Sequence, residues 1–283
     1  MIHRTAKDPV AMVDDVNERE PSRRQPTRAL REEIREGLAG SPGILLTEEQ
    51  CLLIGATLRL FPACRFLVFG AGHDSRLWHD LNAGGATLFL EHHERWRQDV
   101  LSRDPGLDLL PVKYSTSILQ WRELLDHPES LHLDLPARVR DSRWDVILVD
   151  APNGFAHVAH HPMTGPMHGR MQSICAAREL VADGGFVMVD DTDREVEATY
   201  ADRYLERRNL VFKWRTLRRR GNVVEMRCYH VPGASRRGAW RARWLGLRAA
   251  WMGLARMLRT GPMRDTIRAR ARAILSSARG IFR

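Results

Sequence analysis

The stretch Arg65-Phe-Leu-Val-Phe-Gly-Ala-Gly-His-Asp-Ser75, followed by Thr87-Leu-Phe-Leu-Glu91, decides how this chain is read. Arg65–Phe69 is an apolar run of the kind that forms a strand buried on both faces of a parallel sheet. The run breaks at Gly70-Ala-Gly72-His-Asp74, and the amphipathic segment Ser75–Asn82 predicts a helix. Gly84-Gly85 then turns the chain into a second apolar strand, closed by Glu91. Strand, glycine turn, helix, strand and acid are the order of a nucleotide-binding βαβ unit.

Upstream, Thr47-Glu48-Glu49-Gln50 reads as a capping box that opens a helix running to about Leu60. Residues 1–42 are rich in charge and proline and lack a sustained apolar period, so they read as a flexible arm with one short helix near Thr27–Leu38. Downstream, strands fit Pro111–Ser115, Asp145–Val149 and Gly185–Val189, the last two ending in Asp150 and Asp190-Asp191. A helix fits Met171–Val181, and Leu210–Leu217 with Val223–Val231 flank a turn, which predicts an antiparallel hairpin. The expectation is an α/β protein with a Rossmann-like sheet of the class I methyltransferase type. That sheet is mostly parallel with a C-terminal antiparallel hairpin, over residues 43–233, and a helical tail covers 234–283.

In an open α/β sheet, ligands bind beyond the carboxyl ends of the strands. Here those ends carry Gly70, Gly72, His73 and Asp74, then Glu91, Asp150 and Asp190-Asp191. Glycines let the backbone approach a ligand, and Glu91, 21 positions beyond Gly70, is placed to accept hydrogen bonds from the hydroxyls of an adenosine ribose. The third glycine of the dinucleotide fingerprint is replaced by Asp74. A carboxylate there repels a pyrophosphate and attracts an amino group, which favours S-adenosylmethionine (SAM) over a nicotinamide dinucleotide.

Several blocks carry a further resemblance: Phe66–Ser75, Asn82 with Gly84-Gly85, Phe89-Leu-Glu91, Trp144–Pro152 with Gly154-Phe155, Gly169-Arg-Met171, and Asp191–Arg194 with Val196-Glu197. Over residues 47–232 the chain resembles the glucuronoxylan 4-O-methyltransferase family of polysaccharide biosynthesis proteins. The resemblance implies SAM-dependent methyl transfer to a hydroxyl of a glucuronic acid unit in a glycan. The chain departs from the family between Gly154 and Gly169, where a short acidic link is replaced by Ala156–His168 with His157, His160, His161 and His168. His168 is a candidate base, because an imidazole titrating near neutrality suits deprotonation of a hydroxyl. Asp150 and Asp191 are the other candidates, either as base or as a carboxylate pair holding a divalent metal. Arg170, beside Gly169, has the planar fork that matches a uronate carboxylate, with Arg194 as a second cation.

The formal net charge of +9 is unevenly distributed. Residues 234–283 hold thirteen arginines, no lysine and a single acid, Asp265, so this segment carries +12 and the rest −3. Trp240, Trp244, Leu247, Trp251, Leu254 and Leu258 recur at helical spacing beside those arginines. The readings are an anionic membrane surface, self-association, or packing on the body. No apolar run is long enough to span a bilayer, and the first residues lack a secretory pattern. The expectation is therefore a cytoplasmic chain, peripheral on the inner membrane face if the tail meets lipid. The scattered Cys51, Cys64, Cys175 and Cys228 read as reduced thiols. Two rivals remain at this stage: an RNA methyltransferase anchored by the tail, which the acidic body disfavours, and a non-catalytic scaffold.

Overall fold

The computed structural model describes residues 26–154, 160–161, 165–217, 221, 223–233 and 236–260. The apolar runs pair into one seven-stranded sheet: β1 (Arg65–Phe69), β2 (Ala86–Glu91), β3 (Leu109–Pro111), β4 (Trp144–Val149), β5 (Val181–Val189), β6 (Leu210–Leu217) and β7 (Val223–His230). Their spatial order is β3-β2-β1-β4-β5-β7-β6, with the first five parallel and β7 antiparallel to both neighbours. This is the class I methyltransferase arrangement that the sequence predicts. The order reverses between β1 and β4, which opens a crevice beyond their carboxyl ends.

Alternate residues of the central strands feed two separate cores. Leu67, Phe69, Ile147, Val149, Val187 and Val189 face one side, where α5 (Met171–Leu180) and α6 (Glu195–Tyr204) pack. Phe66, Val68, Val146, Leu148, Phe186 and Met188 face the other. That second side is covered by α1 (Pro26–Gly40), α2 (Glu48–Leu58), α3 (Ser75–Leu81), α4 (Glu94–Arg103) and α7 (Arg236–Thr260). Helix α2 opens on the expected capping box, in which Gln50 N donates to Thr47 Oγ1 and Thr47 N donates to Gln50 Oε1. Every residue from Gln50 to Leu58 is buried, so α2 is a central helix.

Two boundaries differ from expectation. The helix expected near Thr27–Leu38 forms as α1, but it belongs to the body and not to a flexible arm: Leu30 and Ile34 are 2% and 0% exposed in the core under α2, because a narrow apolar face suffices for a helix lying on a buried one. The third strand ends at Pro111, short of Ser115; beyond it the amides of Ser115 and Thr116 donate to the side chain of Gln172 instead of a neighbouring strand. For the described part of the tail, residues 236–260, packing on the body, one of the three expected readings, is what the structure shows. Leu245 and Ala249 of α7 are buried on the second face, with Trp244 and Met252 packed beside them. The four cysteines are free, with Cys51, Cys64 and Cys228 buried.

Candidate active site

The sheet continues one hydrogen bond past its strands, and this places the functional residues in a row. Gly70 N donates to Leu90 O, Asp150 N to Phe69 O, and Asp190 N to Val149 O, at 2.8, 2.9 and 3.1 Å. Above this row lies a cavity of about 710 Å³, walled by residues that include Gly70–Asp74, Glu91–His93, Trp96, Asp150, Met167, Arg170, Asp191 and Arg194. The segment Gly43–Leu46, just before α2, closes one side. Gly70 has φ +115°, and a Cβ there would lie 3.0 Å from the Ala151 side chain, so the first turn needs glycine.

At one end of the cavity Glu91 is held by its surroundings. Its Oε1 accepts from His93 N at 2.8 Å and its Oε2 from Ala71 N at 3.2 Å, while His92 Nδ1 lies 3.0 Å from Oε1. Burial opposes ionisation, but these partners outweigh it and hold the Glu91 carboxyl below its ordinary range. Asp74, in contrast, is pushed upward by burial. Trp96 braces this end by donating from Nε1 to Ala71 O at 2.6 Å, and its ring meets His73 edge to face. His73 is exposed and accepts from Arg103 Nη1, so its ring serves the outer rim.

The other end holds an acid cluster built around one cation. Arg170 is 1% exposed; its Nη2 donates to Asp150 Oδ1 at 2.9 Å and to Asp191 Oδ2 at 2.8 Å, and its Nη1 donates to the Asp190 carbonyl. Gln50 Nε2 donates to Asp190 Oδ1 at 2.8 Å, tying α2 to the same cluster. Arg194 also lines the cavity and lies 3.0 Å from Asp191 Oδ2. Burial raises the pKa of Asp150 well above the usual carboxylate value; Arg170 opposes this, while Asp190, Asp74 and Asp191 add to it. Ligand atoms of Asp150, Asp190 and Asp191 lie within 4.8 Å of one another, a set that suits a divalent cation, yet the guanidinium already bonds two of them.

The sequence-derived candidates thus separate. Gly70, Gly72, His73, Asp74, Glu91, Asp150, Asp191 and Arg194 converge on one cavity. Arg170, expected to grip a uronate, borders the cavity but is only 1% exposed, and its charge is taken up by Asp150, Asp190, Asp191 and Glu197. Gly169 is buried at φ +70° against Ile118, a turn position away from the cavity lining. His168 stands behind the wall. Its Nδ1 bonds the Thr116 carbonyl at 2.7 Å, its ring is 6.1 Å from that of His92, and burial lowers its pKa. The His160–His161 backbone pairs with Gly165–Pro166, while His157 lies outside the described residues. His92, Trp96 and Gln50 were missed by the sequence reading. The only sequence signal for His92 was its adjacency to Glu91.

The family model described as IRX15/IRX15L/GXM matches residues 49–133 and 128–220. The chain is 37% identical over 163 residues to glucuronoxylan 4-O-methyltransferase 2 of Arabidopsis thaliana, covering 50% of this chain and 53% of that protein. It is 34% identical to arabinogalactan O-methyltransferase 2 of the same plant, covering 50% and 55%, and 35% identical to its protein IRREGULAR XYLEM 15, covering 54% and 53%. The chain therefore spans about half the length of the curated relatives it matches. Among solved structures, cofactor-bound Rv0187 from MTB aligns with a TM-score of 0.43 at 16% identity, over 74% of this chain and 90% of that one. By the extent of the family match, this chain belongs to the IRX15/IRX15L/GXM family.

Proposed function

We propose that this protein is a SAM-dependent O-methyltransferase that methylates a hydroxyl of a uronic-acid-containing glycan, with the 4-hydroxyl of a glucuronosyl unit as the position its relatives' names suggest. One observation carries the reading: the Gly70–Glu91 end and the Asp150–Asp191–Arg194 end open into the same cavity at the β1/β4 switch point. Its volume is within the range of a small-molecule site.

The residues suit SAM. Gly70 leaves the floor free of a side chain, Glu91 is an ionised acceptor for ribose hydroxyls, and Asp74 offers a carboxylate to an amino group. SAM supplies an electrophilic methyl group when bound. What remains for the protein is to orient the acceptor hydroxyl and take its proton. Asp150 is placed for the proton, since it lines the cavity and its raised pKa makes it a stronger base than an ordinary carboxylate. Arg170 fixes its orientation from behind. Of the two cavity-lining arginines on Asp191, Arg194 is the more exposed and is assigned to the uronate carboxylate. A divalent cation at the acid cluster would have to displace the Arg170 guanidinium, so no step is routed through one.

The test combines binding and turnover. Calorimetry with S-adenosylhomocysteine should show binding that Glu91→Ala weakens. Incubation with SAM and glucuronic-acid-bearing xylo-oligosaccharides should yield a new methyl ether by NMR. Absence of cofactor binding to the intact chain overturns the enzyme reading; cofactor binding with methylation of RNA and not of uronate glycans overturns the substrate assignment.

A further inference from the structure

Helix α7 (Arg236–Thr260) carries two apolar faces, and the body uses only one. Leu245 and Ala249 are buried against the sheet's second face, flanked by Trp244 and Met252, so the helix is held in place without the rest of its apolar surface. On the opposite side Trp240 and Leu247 are 61% and 66% exposed. Seven residues are nearly two helical turns, so these two side chains lie in line along the outward face. The sequence continues that spacing at Trp251, Leu254 and Leu258. An exposed tryptophan and leucine in register are more than a scatter of surface apolar residues.

The charge selects the partner. The helix holds seven arginines and no acid, within a segment of thirteen arginines and one acid. Arg243 is exposed beside the outward face, while Arg241 stacks on the Phe61 ring at 4.3 Å and Arg248 on Trp244 at 5.3 Å, both at its flanks. A second copy docking through this face would bring two arginine-rich helices together in like-charge contact. An anionic lipid surface neutralises the same arginines and accepts the indole at the headgroup level. Among the described residues no helix is long and apolar enough to cross a membrane, which leaves a helix lying in the interface plane. The geometry points to the outward face of α7, centred on Trp240 and Leu247, as a docking surface for an anionic membrane, with its other face bolted to the methyltransferase body.

Flotation of the full chain tests this, with vesicles of phosphatidylcholine alone or with roughly 30% phosphatidylglycerol. Binding is expected only to the anionic vesicles, and it should weaken steeply as salt rises toward about 0.5 M. The double variant Trp240→Ala/Leu247→Ala should lower vesicle partitioning about tenfold or more. Both side chains are exposed, so the thermal midpoint and S-adenosylhomocysteine affinity should match the parent protein. Three results overturn the proposal: no binding to anionic vesicles at low salt, unchanged partitioning of the double variant, or a concentration-dependent dimer that the double variant abolishes while vesicles bind neither protein.

Discussion

Asp150 and Glu91 line one cavity, the first half-buried and the second buried, yet their environments move them in opposite directions. Glu91 meets two backbone amides and an imidazole, so its charge is favoured; Asp150 meets Arg170 but also three other acids, and burial prevails. For Asp150→Asn, kcat/KM should fall about 10²- to 10⁴-fold while S-adenosylhomocysteine still binds by calorimetry. In the parent protein the proposed activity should be lost as pH falls through the raised pKa of Asp150. The acid limb of the pH–rate profile should then lie above the usual carboxylate range, and a limb at ordinary carboxylate pH would assign the base elsewhere. Glu91→Gln should weaken S-adenosylhomocysteine about tenfold or more. Because the folded pKa of Glu91 is lowered, its contribution to stability is complete above the usual glutamate range and is lost as pH falls through the depressed value. The gap between parent and Glu91→Gln in denaturation midpoint should therefore close on acidification. Glu91 and Asp150 were legible in the sequence because both end apolar strands. His92 and Trp96 were not, since nothing in a linear pattern shows which side chains a turn will fold back over a neighbouring strand end.

At the scale of elements, local chemistry read well wherever it was self-contained. The Thr47–Gln50 capping box, the strands around Phe66–Phe69 and Val146–Val149, and the hairpin of β6 and β7 each follow from patterns within one segment. Elements completed by distant partners read poorly. Past Pro111 the Val112 amide still donates to Glu91 O, but the amides of Ser115 and Thr116 are taken by Gln172, 56 or more positions away in sequence, so the strand expected to reach Ser115 does not. Helix α1 is polar over most of its surface, and its core membership rests on Leu30 and Ile34 meeting α2. Ile34→Ala should cost about 2–5 kcal/mol in chemical denaturation. A change of a few tenths of a kcal/mol would return residues 26–40 to the status of an appendage.

Across the whole molecule, one buried arginine joins the ends of β4, β5 and α5. Arg170→Met should destabilise the fold by about 3–5 kcal/mol in denaturant titrations, because Asp150 and Asp191 would lose the cation they share inside the wall. Arg170→Lys should recover only part of that loss, since an ammonium cannot reproduce the fork. Strand periodicity and the residues at strand ends were enough to specify the sheet, its parallel core and hairpin, and the cavity-lining Gly70, Gly72 and Glu91. The sequence also located the cationic tail, since charge is additive along a chain. Which cations face outward is set by packing between distant segments. As sequence, Arg170 was the first candidate for a uronate and Arg194 the second, but packing closed the first among acids at 1% side-chain exposure and left the second at 22% beside the same cavity. The same holds for α7, whose two apolar faces are indistinguishable until one of them is buried against the sheet. Burial depends on neighbours far away in the chain, and a local pattern does not encode them.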